Sequence, residues 1–169
     1  FYWNKMLAIR IIPCLLLKDG SLVKTVKFKN PTYIGDPINT IRIFNELEVD
    51  ELFFLDICAS RNNNKIDYEI LKDIAHECFM PLGYGGGIKS LEQAKKIFNI
   101  GFEKIILNTS AILNRELLLE LVQYFGSQAI VVSIDVRKNI LGKYYVYSHS
   151  GENKTTLDPY KWVKELEKI

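Results

Sequence analysis

A run of glycines between a predicted strand and a predicted helix is the clearest chemical signal in this sequence. Gly85-Gly86-Gly87 follows the apolar residues 79–82 and precedes residues 91–98, which have helical periodicity. Glycine lacks a Cβ, so its backbone adopts positive φ readily and its N–H group can approach an anion at the positive end of a helix. A phosphate is the ligand that such a turn would bind. A tight turn without any ligand is the alternative.

A second polar turn with the same placement contains Asn108 and Thr109. It follows the apolar residues 104–107 and precedes residues 112–125, which also have helical spacing. The carboxyl ends of neighbouring parallel strands lie side by side, so donors from both turns would reach one anion. We therefore predict a single phosphate site made of the residues of both turns.

Two carboxylates, Asp56 and Asp135, follow apolar segments at the same predicted edge of the fold. Barrel enzymes keep their chemistry at the carboxyl ends of their strands. Burial at the end of its strand would raise the pKa of Asp135 into a range suited to acid or base catalysis. Capping of a nearby loop is the alternative role. The histidines His76 and His149 lie in polar surroundings, and we expect neither to bind a ligand or to act as a base.

Three charged residues, Arg10, Glu51 and Lys104, stand at the starts of predicted strands. Alternation along the strands places all three on the side that would be the interior of a closed sheet. Isolated buried charges are costly, so they should pair with one another and with a further carboxylate outside this sequence. Three solvated side chains at strand starts are the alternative.

The apolar segments that position these residues alternate with helical segments, as expected of βαβ units. A loop or short hairpin is predicted at residues 21–29, an inserted hairpin arm at 143–147 and a last helix beginning at Asp158-Pro159. Residues 12–18 resemble residues 131–137, so strands one and five look like counterparts. The five strands are predicted at residues 10–17, 51–56, 80–83, 104–107 and 129–135.

This pattern indicates an α/β fold, the (βα)8 TIM barrel, of which the sequence supplies roughly the first five units. An open doubly wound sheet is the alternative. We assign residues 6–169 to the partial barrel and residues 1–5 to an N-terminal extension outside it, with Met6 as the natural start and both ends cropped. The edges of strands one and five would then be unpaired, which predicts instability or association through them.

Composition narrows the class of protein. The chain has 169 residues, 48% of them hydrophobic, and a formal net charge of +2. These values predict a globular, cytoplasmic domain without a membrane segment or a nucleic-acid partner. We expect no cofactor and no metal, and we interpret Cys14, Cys58 and Cys78 as reduced, small core residues, since they lack CxxC spacing.

Together these motifs resemble, in order and from Met6 onward, the cyclase subunit of imidazole glycerol phosphate synthase, HisF. The matching segments share both residue type and order with that family. They are Arg10-Ile11-Ile12-Pro13-Cys14-Leu15, Lys18-Asp19-Gly20, Val23-Lys24, Gly35-Asp36-Pro37, Leu55-Asp56-Ile57, Gly85-Gly86-Gly87-Ile88, Asn108-Thr109, Phe125-Gly126-Ser127-Gln128-Ala129 and Ile134-Asp135.

The resemblance implies a (βα)8 barrel that docks a HisH-like glutaminase on its floor and conducts ammonia to a phosphorylated small-molecule substrate. Arg10, Glu51 and Lys104 then match an ammonia gate, and Glu103 and Gln128 match the partner interface. The remaining implied sites lie at the opposite end. They are the catalytic residues Asp135 and Lys24, the latter in a loop that closes over substrate, and the substrate- and phosphate-binding residues Asp56, Gly85, Gly86, Gly87, Asn108 and Thr109.

One departure from the family's pattern bears on activity. Leu16 stands where the family has its second catalytic aspartate, and a leucine cannot transfer protons. The run Leu15-Leu16-Leu17 resembles a HisF-like branch associated with sugar amidation in bacterial surface glycans, which implies a separate sugar amidotransferase as a further partner. An authentic cyclase of histidine biosynthesis and a non-catalytic barrel that activates the glutaminase are the alternatives. Tyr84, at a small aliphatic position of the family, is expected to narrow the pocket floor.

Overall fold

A computed structural model describes residues 9–26, 29–59, 65–149 and 151–169 of the chain. The predicted extension at residues 1–5 and the predicted start at Met6 lie outside the described residues. The strands are β1 (Cys14–Lys18), β2 (Ser21–Val26), β3 (Lys29–Gly35), β4 (Leu52–Asp56), β5 (Leu82–Gly85), β6 (Lys104–Leu107), β7 (Ile130–Val132), β8 (Asp135–Lys138), β9 (Tyr144–Ser148) and β10 (Asn153–Lys154). The α-helices are α1 (Pro37–Glu46), α2 (Tyr68–Glu77), α3 (Leu91–Ile100), α4 (Thr109–Leu113), α5 (Arg115–Phe125) and α6 (Pro159–Leu166).

The main sheet confirms the predicted fold class. Its strand order is β3-β2-β1-β4-β5-β6-β7, and the neighbouring pairs from β1 through β4, β5 and β6 to β7 are all parallel. The parallel strands follow one another in chain order without the reversal that defines a doubly wound sheet. This order is that of a (βα)8 barrel, of which the chain supplies five parallel strands.

The hydrophobic core lies between the parallel strands and the helices that connect them. Phe54 of β4 and Ile105 of β6 are fully buried in it, and so are Leu71 of α2 and Leu121 of α5. Their strand neighbours, such as Phe53 and Ile106, point to the opposite side of the sheet because side chains alternate along a strand. The helices therefore cover one face of the sheet and leave the other face for the barrel interior.

Side-chain caps explain where most of the helices begin. The side chains of Asp36, Asp67, Ser90 and Asp158 each accept backbone N–H groups of the first turn of α1, α2, α3 and α6, respectively. Proline occupies the first turn of α1 and α6, where its missing N–H costs nothing. The predicted start of the last helix at Asp158-Pro159 is confirmed.

The first strand is shorter and better protected than predicted. It begins at Cys14 and not at Arg10, because Pro13 has no N–H to give to a ladder. Residues 21–29 were expected to form a loop or short hairpin. The hairpin of these two expectations is confirmed, because β2 and β3 pair antiparallel, and β2 also pairs antiparallel with β1. The prediction that the edge of strand one is unpaired is therefore wrong at residues 16–18.

Three other boundaries differ from the prediction. Strand β5 begins at Leu82, two residues late, so Gly85 lies at its end and not in the turn. The helix predicted at residues 112–125 is two helices, because Asn114 ends α4 and its side chain caps α5 by accepting the Leu117 N–H. Strand β7 ends at Val132, and Asp135 opens a second, three-stranded sheet of order β10-β9-β8.

Two predictions about side-chain placement are wrong. Tyr84 does not narrow the cavity, because alternation along β5 directs it to the helix side, where its ring lies edge-on to Phe102 with centroids 6.0 Å apart. The prediction that all three cysteines are core residues is also wrong. Cys14 is exposed on β1 and Cys58 is half-buried, whereas Cys78, at the end of α2, is half-buried and packs against the core.

Candidate functional site

A cavity of about 160 Å³ lies at the carboxyl ends of the parallel strands. All of its walls come from strand ends and the residues that follow them, which is where the glycine turn and the carboxylates were predicted to meet. Its lining comprises Leu16, Thr25, Leu55, Asp56, Ile57, Gly85, Gly86, Gly87, Ile88, Ile106, Leu107, Asn108, Thr109, Ser110, Ser133 and Asp135.

The glycine turn fits tightly against the end of β4. Gly86 has φ +136°, and a Cβ built on it would lie 2.7 Å from the backbone oxygen of Asp56. Gly87 has φ +66°, and its Cβ would lie 2.8 Å from that of Ala59. Backbone conformation and close packing both require glycine here. The result is a stretch of bare backbone at the cavity wall, of the kind that lets an anion approach main-chain donors.

Asp56 holds the loop that follows β4. Its Oδ1 accepts the N–H groups of Cys58 at 2.8 Å and Ala59 at 3.0 Å. Burial raises the pKa of this carboxyl, with a smaller rise from the negative charges of Asp19 and Asp67, while the two N–H bonds oppose the rise. The structure thus gives Asp56 a loop-capping contact. Its assignment to the substrate remains a prediction.

Asn108 and Thr109 lie between the cavity and the second sheet. The Asn108 Nδ2 donates to the Ser133 carbonyl at 3.0 Å, and the Thr109 hydroxyl donates to Asn108 Oδ1 at 3.2 Å. The hydroxyl of Ser110 donates to the Ile88 carbonyl at 2.5 Å and so ties this turn to the glycine turn. The two turns that were predicted to form one site therefore line one cavity and share a hydrogen bond.

Asp135 is half-buried at the start of β8. Burial raises the pKa of its carboxyl, as the sequence predicted, while a hydrogen bond from the Asn108 side chain and the positive charge of Arg137 oppose the rise. Asp56 and Asp135 are thus two carboxyl groups of one cavity whose pKa burial raises, a shift that favours the protonated form of each.

Leu16 and Lys24 occupy different places relative to the cavity. Leu16 lines the wall and pairs with Leu55 of the neighbouring strand, so an apolar side chain stands across from the polar end of the site. Lys24 is exposed on β2 and was expected in a loop, but it lies in a strand opposite Thr32. Thr25, beside Lys24, reaches the cavity instead. The structure does not bring Lys24 to the other predicted site residues.

The charged residues at the strand starts form a compact cluster. Glu51 is 3% exposed and pairs through Oε1 with Arg10 and through Oε2 with Lys104, at 2.5 Å from its Nζ. The expected pairing is present, and the alternative of three solvated side chains is wrong for Glu51. One carboxylate facing two cations leaves an excess positive charge, which is why a further carboxylate was inferred outside this sequence.

A groove lies at the same end of the strands as the charged cluster. Arg10 and Lys104 line it together with the exposed residues Glu103 and Gln128. The rings of Phe98 and Phe125 form another part of the wall, stacked with centroids 4.1 Å apart. The two residues predicted for a partner interface and two of the three predicted for a gate, Arg10 and Lys104, thus border one groove.

Some polar lining residues were not predicted from the sequence. Thr25 and Ser133 lie in strand and strand-end positions that have no distinguishing motif. The sequence also did not predict a hydrogen bond between His149 and Thr109. The backbone N–H of His149 donates to the Thr109 hydroxyl at 2.9 Å. Alternation along a strand could have suggested Thr25, but no pattern in the sequence reports a main-chain donor.

In the described part of the chain, the His, Cys, Asp and Glu side chains form no group of three that could hold a metal ion. None of its helices has both the length and the apolar character that crossing a bilayer requires.

Comparison with known proteins gives a consistent result. Residues 10–169 match the model of the family described as histidine biosynthesis protein. The chain is 54% identical over 162 residues to the "Putative imidazole glycerol phosphate synthase subunit hisF2" of Pseudomonas aeruginosa, covering 96% of this chain. It is 51% identical over 160 residues, 94% of this chain, to the "Putative imidazole glycerol phosphate synthase subunit HisF" of Leptospira interrogans.

A further relative is named without that qualifier. The chain is 42% identical over 160 residues, 95% of its length, to the "Imidazole glycerol phosphate synthase subunit HisF" of Streptococcus mutans. The chain covers 63–64% of the length of these three relatives, which is less than two thirds.

Proposed function

The chain belongs to the HisF family of histidine-biosynthesis proteins, and from that premise we propose that it is the synthase subunit of a glutamine amidotransferase. In this proposal it receives ammonia from a HisH-like glutaminase docked at the groove beside Glu103 and Gln128. The ammonia passes the cluster of Arg10, Glu51 and Lys104 and reaches the cavity at the other end of the strands. The sections of the barrel absent from this sequence would complete that route.

The observation that carries the proposal is the composition of the cavity. Bare backbone at Gly86 and Gly87, the Thr109 hydroxyl and the Asn108 amide are neutral donors suited to a phosphate group. Asp135 stands in the same cavity with a pKa raised by burial. A phosphorylated substrate held at the turns would place its reacting carbon within reach of a proton donor or acceptor.

Leu16 supports a specialised version of this function. The family resemblance assigns a catalytic aspartate to that position, and here an apolar side chain lines the cavity instead. Loss of one member of an acid-base pair removes about a hundredfold or more of the rate. We therefore favour a role in sugar amidation during surface-glycan biosynthesis, in which a separate amidotransferase uses the ammonia, over cyclisation of a ribonucleotide.

Authentic cyclase activity is the second candidate. The 42% identity to the HisF subunit of Streptococcus mutans favours it, and so does the presence of Asp135 in the cavity. In this case a different group would take the role of the missing aspartate. A non-catalytic barrel that only activates the glutaminase would need neither Asp135 nor the phosphate-binding turns.

The proposed partner can be tested by mixing the full-length protein with the HisH-like glutaminase of its organism and measuring glutamine hydrolysis. We expect the protein to stimulate hydrolysis. We expect Glu103→Lys, at the groove, to reduce the stimulation by at least about tenfold. The substitution replaces a negative charge by a positive one, and like charges brought together in an interface cost several kcal/mol. Glu69→Lys, on an exposed helix surface away from the groove, is the matched control and should leave the stimulation intact. Absence of any stimulation by the unmodified protein would refute the proposal.

A further inference from the structure

The second sheet is held at two points by two consecutive residues of the cavity. At its start, the Asn108 side chain donates to the carbonyl of Ser133, two residues before Asp135, at 3.0 Å. Near its far end, the backbone N–H of His149 donates to the hydroxyl of Thr109 at 2.9 Å. The segment between these points contains β8 and β9, which pair with each other from Asp135 to Lys138.

His149 is fixed in the conformation that this contact needs. Its φ is +53°, in the left-handed region that residues other than glycine adopt infrequently. Its Nδ1 lies 3.0 Å from the Ser148 hydroxyl and 3.2 Å from the Asn153 amide nitrogen. Ser148 itself is buried. The side chain of His149 thus holds the turn, while its backbone N–H reaches the cavity residue Thr109.

The Thr109 hydroxyl can serve a phosphate and His149 at the same time. A hydroxyl has one donor and two acceptor positions. Here it accepts from His149 and donates to Asn108 Oδ1 at the rather long distance of 3.2 Å. A phosphate oxygen in the cavity would be a stronger acceptor for that proton, because hydrogen bonds to ionised groups are shorter and stronger. Donation to an anion also polarises the hydroxyl oxygen, which strengthens the bond that it accepts.

We propose that His149 is a positioning residue, which acts through Thr109 to make the placement of β8 and β9, and with it that of Asp135, depend on a phosphate in the cavity. This inference rests on the proposed phosphate site. The ligand class is a phosphate monoester, bound at the turns. Without it the sheet is held by a weaker pair of contacts, and with it the His149 contact tightens and Asp135 is fixed beside the substrate.

The test is amide hydrogen exchange on the full-length protein, with and without saturating inorganic phosphate. We expect phosphate to slow exchange at His149 and along Tyr144–Ser148 by roughly tenfold, the range that one strengthened hydrogen bond gives. Thr109→Ser keeps the hydroxyl and should keep this response. Thr109→Val removes the hydroxyl at nearly constant shape and should abolish the response at these amides.

A matched variant separates positioning from general support of the sheet. Thr155 also holds β9, since its hydroxyl donates to the Val146 carbonyl at 2.8 Å, but it does not line the cavity. Thr155→Val should therefore speed exchange along β9 equally with and without phosphate and keep the phosphate response.

Two results would overturn the inference in distinguishable ways. If phosphate slows exchange at Gly86 and Gly87 but not at His149, or if Thr109→Val still responds at His149, the phosphate site stands and the role of His149 is wrong. If phosphate slows exchange at none of these amides, the proposed phosphate site is itself wrong, and the inference falls with it.

Discussion

The two ends of strand β4 carry one carboxylate each, in opposite electrostatic surroundings. Glu51, just before the strand, is buried between the cations Arg10 and Lys104. Asp56, its last residue, is held by two backbone N–H groups, and its pKa is raised by burial and by neighbouring negative charges. The carboxylate at one end of the strand is thus paired with two cationic side chains, and the carboxylate at the other end accepts hydrogen bonds from neutral backbone N–H groups.

The end of the sheet at Glu51 therefore holds a cluster of ion pairs, whereas the end at Asp56 holds a cavity lined by carboxyl groups and neutral donors. The carboxylate of Glu51 is paired with two cationic side chains, so the cluster at the floor is a fixed set of ion pairs beside the groove. Carboxylates with raised pKa values can exchange protons, and neutral donors leave room for an anionic ligand. The predictions below test this separation, beginning with the largest expected effect.

Removing the charge of Glu51 should be the most damaging change. Glu51→Gln leaves Lys104 and Arg10 without their anion, and we expect a loss of about 3 kcal/mol in the free energy of unfolding, at the low end for a broken buried pair because Arg10 is half exposed. Urea denaturation measures the loss. Glu69→Gln, which breaks an exposed pair with Lys72, should cost less than about 0.5 kcal/mol. An equal loss in the free energy of unfolding for the two variants would show that Glu51 is not a buried carboxylate stabilised by Arg10 and Lys104.

An added methyl group should distinguish the glycine turn from an ordinary positive-φ turn. Gly86→Ala combines an unfavourable φ with a Cβ only 2.7 Å from the Asp56 backbone oxygen, so we expect a loss of about 2 to 3 kcal/mol and weaker phosphate binding. Gly142→Ala, with φ +83° and a Cβ that would meet only the Lys138 side chain at an ordinary contact distance of 3.6 Å, should cost about 1 kcal/mol through backbone strain alone. Thermal unfolding of both variants makes the comparison, and it fails if Gly86→Ala is no worse than Gly142→Ala.

The smallest effect, but the one with a defined pH dependence, belongs to Asp135. Because burial raises its pKa above the usual 3.8, folding favours the protonated form, and the ionised form weakens the fold as the pH rises through that raised value. Asp135→Asn should therefore stabilise the protein at pH 7 by less than about 1 kcal/mol, since water screens a half-buried group. The gain should vanish below pH 3.8. Stability curves of the two proteins against pH would contradict this if the gain were largest in acid.

The sequence predicted the polar residues of the site better than the details of the chain around them. The glycine turn, Asn108, Thr109 and Asp135 could be placed at one cavity because strand ends of a parallel sheet share an edge. The pairing of Glu51 could be predicted because buried charges need partners. Both inferences depend on the topology alone and not on exact strand boundaries.

The errors arose where exact boundaries or main-chain contacts decide the outcome. Tyr84 was assigned to the cavity from the small aliphatic residue that the family has at this position, but the residue lies within β5, where alternation directs its side chain to the helix side of the sheet. Asn114 breaks a helix by offering its side chain to the Leu117 N–H, an option that periodicity alone does not weigh. The contact from the backbone of His149 depends on folding across 40 residues and leaves no mark on the sequence.

In the proposed function, the cavity keeps the turns suited to a phosphate but lacks one of the two groups needed for cyclisation. The most direct test supplies the full-length protein with saturating ammonium and the ribonucleotide substrate of the cyclase, and follows the formation of imidazole glycerol phosphate with and without Leu16→Asp. We predict no turnover by the unmodified protein and measurable turnover by Leu16→Asp, because the substitution places a carboxylate at the wall position that the family resemblance assigns to the second catalytic aspartate. Turnover by the unmodified protein would contradict the claim and identify the chain as part of an active cyclase.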